Sequence, residues 1–261
     1  MSWKEEQMSR RIMLVAAAVA AFAGLLQAQP VADRAGFLKG MQEKQASMKN
    51  ISGSFEMGIS MMGSAMKIPG KFWQKDEKIR MDMDIRMPGM ETSMEQIMIM
   101  DGKKMLQYQK MMNTVITVDM TKMPEEIRKA MKQSSLVGGK DTFSGMEKIA
   151  DEVEIEETSR NGKKCFLLTL NDISKLSGMT PLGMANPGQM FKKLLIWIDR
   201  ETLLPALVQI FGESETPGMW IEFKDIKTSD IGEDIFKAAF PADAKQIDMT
   251  DAVMKMFEHK K

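Results

Sequence analysis

Residues 78–86 read Lys-Ile-Arg-Met-Asp-Met-Asp-Ile-Arg, and this alternation decides the fold. Ile79, Met81, Met83 and Ile85 recur at every second position, with Arg80, Asp82 and Asp84 between them. A period of two puts the apolar set on one face of a β-strand and the charged set on the other. The apolar face is built largely of thioethers. The chain has 30 Met in 261 residues, and 17 of them lie between Met57 and Met131. Methionine is flexible and polarizable, so it fills irregular space and suits adaptable apolar binding surfaces. A protein that holds something apolar, or something that prefers sulfur, is the first expectation.

The same rhythm extends outward from this stretch. Toward the N-terminus, Phe55, Met57, Ile59 and Met61 share one face of a strand that begins near Ser52. Residues 64–75 have mixed polarity and contain Pro69, which predicts an edge or a bulge rather than a central strand. Toward the C-terminus, 94–100 and 104–110 flank Asp101-Gly102, a hairpin signal because both turn residues tolerate positive φ. Residues 113–119 are rich in β-branched side chains and predict a further strand.

Helical patterns interrupt the strands three times. Residues 31–50 place Ala35, Leu38, Met41, Gln45 and Met48 near one face. Pro124-Glu125-Glu126 opens a helix that carries Ile127 and Met131 on one side and ends near Gly138-Gly139. A short polar helix is expected from about Thr250. Between the second and third of these, 151–158 and 163–170 flank Asn161-Gly162 as a second hairpin. The segment 172–190, with Met179 and Met184, predicts an irregular or partly helical insertion. Strands follow at 192–199, 205–211 and 219–227. The total is about ten strands with no β-α-β alternation, so an antiparallel α+β fold is expected.

The first 28 residues set the compartment. Arg10 and Arg11 precede a charge-free run from Ile12 to Leu26, too short for a membrane span of about 20 residues. Leu26-Gln27-Ala28 fits a cleavage site, so residues 1–28 read as a signal peptide and 29–261 as one exported domain, without a stable membrane span after cleavage. Translation could start at Met1 or at Met8. Removal of the leader leaves 33 basic against 34 acidic residues, a balance that does not favour nucleic acid. Cys165 is the only cysteine, so an intramolecular disulfide is impossible.

Candidate chemistry is sparse. Cys165 lies inside an apolar strand, and His259 stands in the Lys-rich tail, so no nucleophile–base pair is readable. There is no phosphate-binding Gly loop and no zinc-ligand spacing. No catalytic residue, cofactor or set of metal ligands is assigned, and an enzyme is not expected. Thioether pairs at spacing two, Met81/Met83, Met98/Met100 and Met254/Met256, leave Cu(I) binding as a third reading.

The order of elements resembles a known family. The residues that carry the resemblance are Lys78-Ile79-Arg80-Met81-Asp82, then Asp101-Gly102-Lys103 and a strand ending in Tyr108. The rest are Leu195-Ile196-Trp197-Ile198-Asp199-Arg200-Glu201-Thr202-Leu203-Leu204-Pro205 and Phe236 with Phe240-Pro241-Ala242-Asp243-Ala244. Over about residues 33–248 the chain is similar to the LolA-like periplasmic carriers of lipoproteins and lipids and their outer-membrane lipoprotein-sorting relatives. The resemblance implies a strongly curved, unclosed antiparallel β-barrel with helices covering its concave face. Acyl chains would lie between sheet and lid. Where the carriers place a basic residue and a Pro after a strand Lys, this chain has Lys75-Asp76-Glu77.

The expected function is therefore a periplasmic, non-enzymatic carrier or binding protein for lipid, lipoprotein acyl chains or another apolar ligand, working with envelope donor or acceptor proteins. The expected cavity residues are Met57, Ile59, Met81, Met83, Ile85, Met98, Met100, Tyr108 and Trp197. The expected lid residues are Ile127, Met131, Met179 and Met184. A periplasmic interaction or sensor protein on the same fold, without lipid cargo, is the alternative.

Overall fold

The computed structural model describes residues 29–61, 64–86, 92–125, 128, 146–176 and 191–258. Thirteen strands form one large, curved, unclosed sheet. They are β1 (Gln29–Pro30), β2 (Asn50–Met61), β3 (Ser64–Lys75), β4 (Lys78–Ile85), β5 (Met94–Met100), β6 (Lys104–Gln109) and β7 (Thr114–Asp119). The others are β8 (Val153–Arg160), β9 (Lys163–Leu170), β10 (Lys193–Asp199), β11 (Pro205–Phe211), β12 (Met219–Lys227) and β13 (Lys245–Asp248). Among the described residues two helices flank them, α1 (Arg34–Ser47) and α2 (Thr250–Glu258). The order across the sheet is β1-β8-β9-β10-β11-β12-β2-β3-β4-β5-β6-β7-β13. It consists of two up-and-down meanders, β2–β7 and β8–β12, joined where β12 pairs with β2.

Three expectations are corrected. The strand count exceeds ten chiefly because β1 and β13 are two and four residues long, too short to carry a periodic signal. The sheet is not wholly antiparallel, since β13 runs parallel to β7. Residues 64–75 form a full strand within the sheet. Pro69 sits where the β3–β4 ladder stops at Gly70–Met83, so the residue that lacks an N–H stands beside the end of that ladder.

The turns follow from local chemistry. Gly102, Asn161 and Gly162 all have positive φ, and Asp101 Oδ1 accepts the Lys103 and Lys104 N–H groups at 2.9 and 2.7 Å. Helix α1 is shorter than the expected 31–50. Asp33 caps it by accepting the Gly36 N–H at 2.8 Å, and β2 begins at Asn50.

One face of the sheet carries the main core. Over β8–β12 it is built from Val153, Ile155, Leu168, Leu170, Leu194 and Ile196, with Leu38 and Met41 of α1 packed on top. Gln45 of α1 is buried and donates from Nε2 to the Leu203 carbonyl at 2.7 Å. Over β2–β6 the same face carries Ile51, Phe55, Phe72, Ile79, Met81 and Met100. Two aromatic rings here need glycine opposite them. A Cβ on Gly70 would lie 2.3 Å from the Phe55 ring, and one on Gly53 would lie 3.0 Å from Phe72. The phenyl groups occupy the space that these glycines leave, which fixes the β2–β3 register.

The back of the sheet is covered over β3–β7 by the segment between β12 and β13. Ile231 and Phe236 are buried there, and Phe240 stacks on Tyr108 at 5.1 Å. Lys75 donates to the Ile231 carbonyl at 2.8 Å, Lys78 pairs with Glu233, and Arg80 donates to the Ile235 carbonyl at 2.9 Å. Arg160 of β8 meets Glu222 of β12 at 2.5 Å, also on the back. Those strands are four places apart in the sheet, about 19 Å if it were flat, so the sheet coils strongly along this diagonal.

A methionine face for apolar ligands

Cross-strand register shows which side chains share the core face. Ile221 lies opposite Met57 and Met219 opposite Ile59. Met57 opposes Ile68, and Ile59 opposes Met66. Phe72 opposes Met81, and Gly70 opposes Met83. Met81 then faces Met98, Ile79 faces Met100 and Ile85 faces Met94. Met100 faces Met105. Directly opposed residues in an antiparallel pair point to the same side. Met57, Ile59, Met81, Met83, Ile85, Met98 and Met100 therefore lie on one side of one sheet.

These residues differ in depth. Met81 and Met100 are buried, at 5 % and 6 % exposure. Met57, Ile59, Met83, Ile85 and Met98 are half-buried, as are Met66, Met94 and Met105 on the same face. The apolar stripe thus has a closed floor and a partly open surface. Polar side chains mark one side of it. Gln96 opposes Met83 and Gln107 opposes Met98. The sequence reading missed Met66, because Pro69 hid the strand, and Met105, whose alternation with Gln107 and Gln109 was the available signal.

Tyr108 and Trp197 do not belong to this face. Tyr108 opposes Ile97 and Val115 on the back, buried under Phe240, with its hydroxyl donating to Asn113 Oδ1 at 3.1 Å. Trp197 opposes Leu167 and Leu207, out of phase with Leu194, Ile196 and Ile198 on the core face. Both residues are wall aromatics of the opposite surface. Met254 and Met256 both fall in helix α2 and not on a strand. The expected lid residues Ile127, Met131, Met179 and Met184 lie outside the described residues.

The one cysteine is not placed as a nucleophile. Cys165 is buried, and burial pushes its thiol above the ordinary value. Among the described residues no three His, Cys, Asp or Glu side chains gather as a metal site. An open groove of about 800 Å³ lies on the back, not on the methionine face, and is edged by Glu56, Lys71, Asp82, Asp84, Arg86 and Lys224. Its carboxylates are largely neutralised within the chain, Asp84 by Arg86 at 2.9 Å and Asp82 by Arg80 at 2.7 Å. The Arg86 side chain holds the Asp84 carboxyl below its usual range.

No family model matches the chain, and no curated protein does. Solved structures do. An uncharacterized conserved protein from Thermus thermophilus shares the fold. It is 12% identical, with 82% of this chain and 98% of that one covered and a TM-score of 0.52. The MucA/MucB complex of Pseudomonas aeruginosa gives 14% identity, 80% and 62% coverage and a TM-score of 0.43. A putative outer membrane lipoprotein-sorting protein domain from Vibrio parahaemolyticus gives 9% identity, 78% and 95% coverage and a TM-score of 0.34.

Proposed function

We propose that this chain is an exported, non-enzymatic binding protein that carries a lipid, lipoprotein acyl chains or another apolar ligand against its methionine face. One observation carries the reading: the half-buried thioethers of Met57, Met83, Met98 and Met105 pack against one buried cluster on the core face of an unclosed sheet. Acyl chains have many conformers, and unbranched thioether side chains adapt to them at little cost in packing. The buried floor of Met81, Met100, Phe72 and Phe55 gives the stripe a fixed base.

Export is read from the run Ile12 to Leu26, and no helix among the described residues is long and apolar enough to cross a membrane. The protein would exchange its ligand with envelope donor or acceptor proteins.

Native mass spectrometry of protein purified without detergent tests the reading. An acyl mass that leaves on mild activation supports it. A bare protein that also fails to take up added fatty acid or phospholipid defeats it, and then favours an interaction or sensor protein whose face is filled by its own side chains.

A further inference from the structure

We infer that the methionine face also holds a soft monovalent cation, Cu(I), through the thioethers of Met81, Met98 and Met100. The inference goes beyond apolar-ligand binding and does not rest on it. Met81 and Met98 are directly opposed across β4 and β5, and Met100 is the next residue on the same face of β5. Opposed side chains on adjacent strands have Cβ atoms about 5 Å apart, and diagonal neighbours stand within about 8 Å. A thioether sulfur lies two bonds beyond Cβ, so all three sulfurs can turn toward one point between the strands. Met83 and Met105 flank the trio, Met105 opposite Met100, and all five pack in one cluster.

Burial alone does not account for sulfur at these positions. The same face over β8–β12 is closed with Val153, Ile155, Leu168, Leu170, Leu194, Ile196 and Ile210, and Met219 is the one methionine in those strands. An apolar ligand is served by leucine as well as by methionine. A soft d10 cation is not, because only sulfur offers it a soft lone pair here. The trio carries no proton, so Cu(I) binds without proton release and without the competition from acid that weakens thiolate and imidazole sites. Gln107, opposite Met98, supplies a neutral amide beside the site, and no carboxylate lies on the core face of β4, β5 or β6 to attract hard divalent ions. The metal stays Cu(I) throughout, so no electron is transferred.

Titration of the exported chain with Ag(I), a redox-inert stand-in, and with Cu(I) under anaerobic competition from a chromophoric chelator tests this. The expected result is saturable binding that is unchanged between neutral and mildly acidic pH. It should be lost in the variant Met81→Leu/Met98→Leu/Met100→Leu and kept in Met111→Leu/Met112→Leu, whose methionines are exposed on the β6–β7 turn. If the triple variant does not fold, Met98→Leu alone and the ε-methyl NMR shifts of wild-type protein on Ag(I) addition locate the site. Absence of binding in wild type, retention in the folded triple variant, or loss in the Met111/Met112 variant overturns the inference. Apolar-dye binding measured in parallel separates the two proposals: if wild type binds dye and not silver, only the metal inference falls.

Discussion

The two meanders of the sheet perform one task with different materials. On the core face, β8–β12 use branched aliphatic side chains under a helix, whereas β2–β6 use Met57, Met66, Met81, Met83, Met94, Met98, Met100 and Met105. Branched side chains have few rotamers and lock one arrangement, while methionine has three soft torsions and keeps several. The contrast separates a stiff half that anchors α1 from a compliant half that can reshape around a guest. Neither hydrophobicity nor strand geometry requires the division, since both halves alternate with the same period.

The sharpest way to break this contrast is to truncate matched positions. Leu168→Ala, at the fully buried centre of the aliphatic half, should cost about 2–5 kcal/mol in urea unfolding. Met81→Ala, buried at the matching depth in the compliant half, should cost clearly less, because neighbouring thioethers can close over the gap. Equal losses would remove the distinction between the halves.

A smaller effect is expected at the fixed floor of the methionine half. Gly70→Ala drives a methyl group into the Phe55 ring and should destabilise by about 1–3 kcal/mol. Adding Phe55→Leu should recover part of that loss, and no recovery would mean that the backbone, not the ring, sets the cost.

Smaller still per site is Met81→Leu/Met83→Leu/Met98→Leu/Met100→Leu, below about 1.5 kcal/mol for each position because volume and polarity are nearly kept. Apolar-dye binding should survive in this variant and vanish in the folded Gln counterpart, which imitates the polarity of the sulfoxide. Loss of dye in the folded Leu variant would make sulfur, not apolarity, the binding group.

The least effect concerns acid. The Arg160 side chain holds the Glu222 carboxyl below its ordinary value of 4.5. Its ion pair therefore stabilises the fold above the ordinary carboxylate range and is lost as pH falls through the depressed value. Glu222→Gln should flatten the acid limb of a stability–pH curve. Glu233, also lowered by Lys78 but with a side chain 54% exposed, should contribute less when replaced by Gln. A larger change from Glu233 would show that the covering of the back, not the coil of the sheet, governs acid stability.

Much of this is legible in the sequence wherever one face of a strand is apolar and the other polar. In Lys78–Ile85 the phase is unambiguous, and Met81 and Met83 fall where the alternation puts them. In Lys193–Asp199 Trp197 shares its phase with Lys193, Leu195 and Asp199, opposite the uniformly apolar Leu194, Ile196 and Ile198, so the period itself puts Trp197 off the core face, and only its ring chemistry made it a cavity candidate. Tyr108 fails for a different reason. Its phase is set by opposition to Ile97 across a turn, and its burial by Phe240, distant in sequence. The parallel pairing of β13 is unreadable because four residues carry no period and the partner lies far upstream.

The junction of the two meanders has a consequence for how the chain is made. β2 to β7 emerge first and can pair with their sequence neighbours at once, but the outer edge of β2 finds its partner only when residues 219–227 arrive. Until then a twelve-residue strand presents open hydrogen-bonding groups and a row of apolar side chains. Until that ladder closes the edge of β2 is open to foreign strands, and its pairing joins residues further apart in sequence than any other ladder of the described sheet.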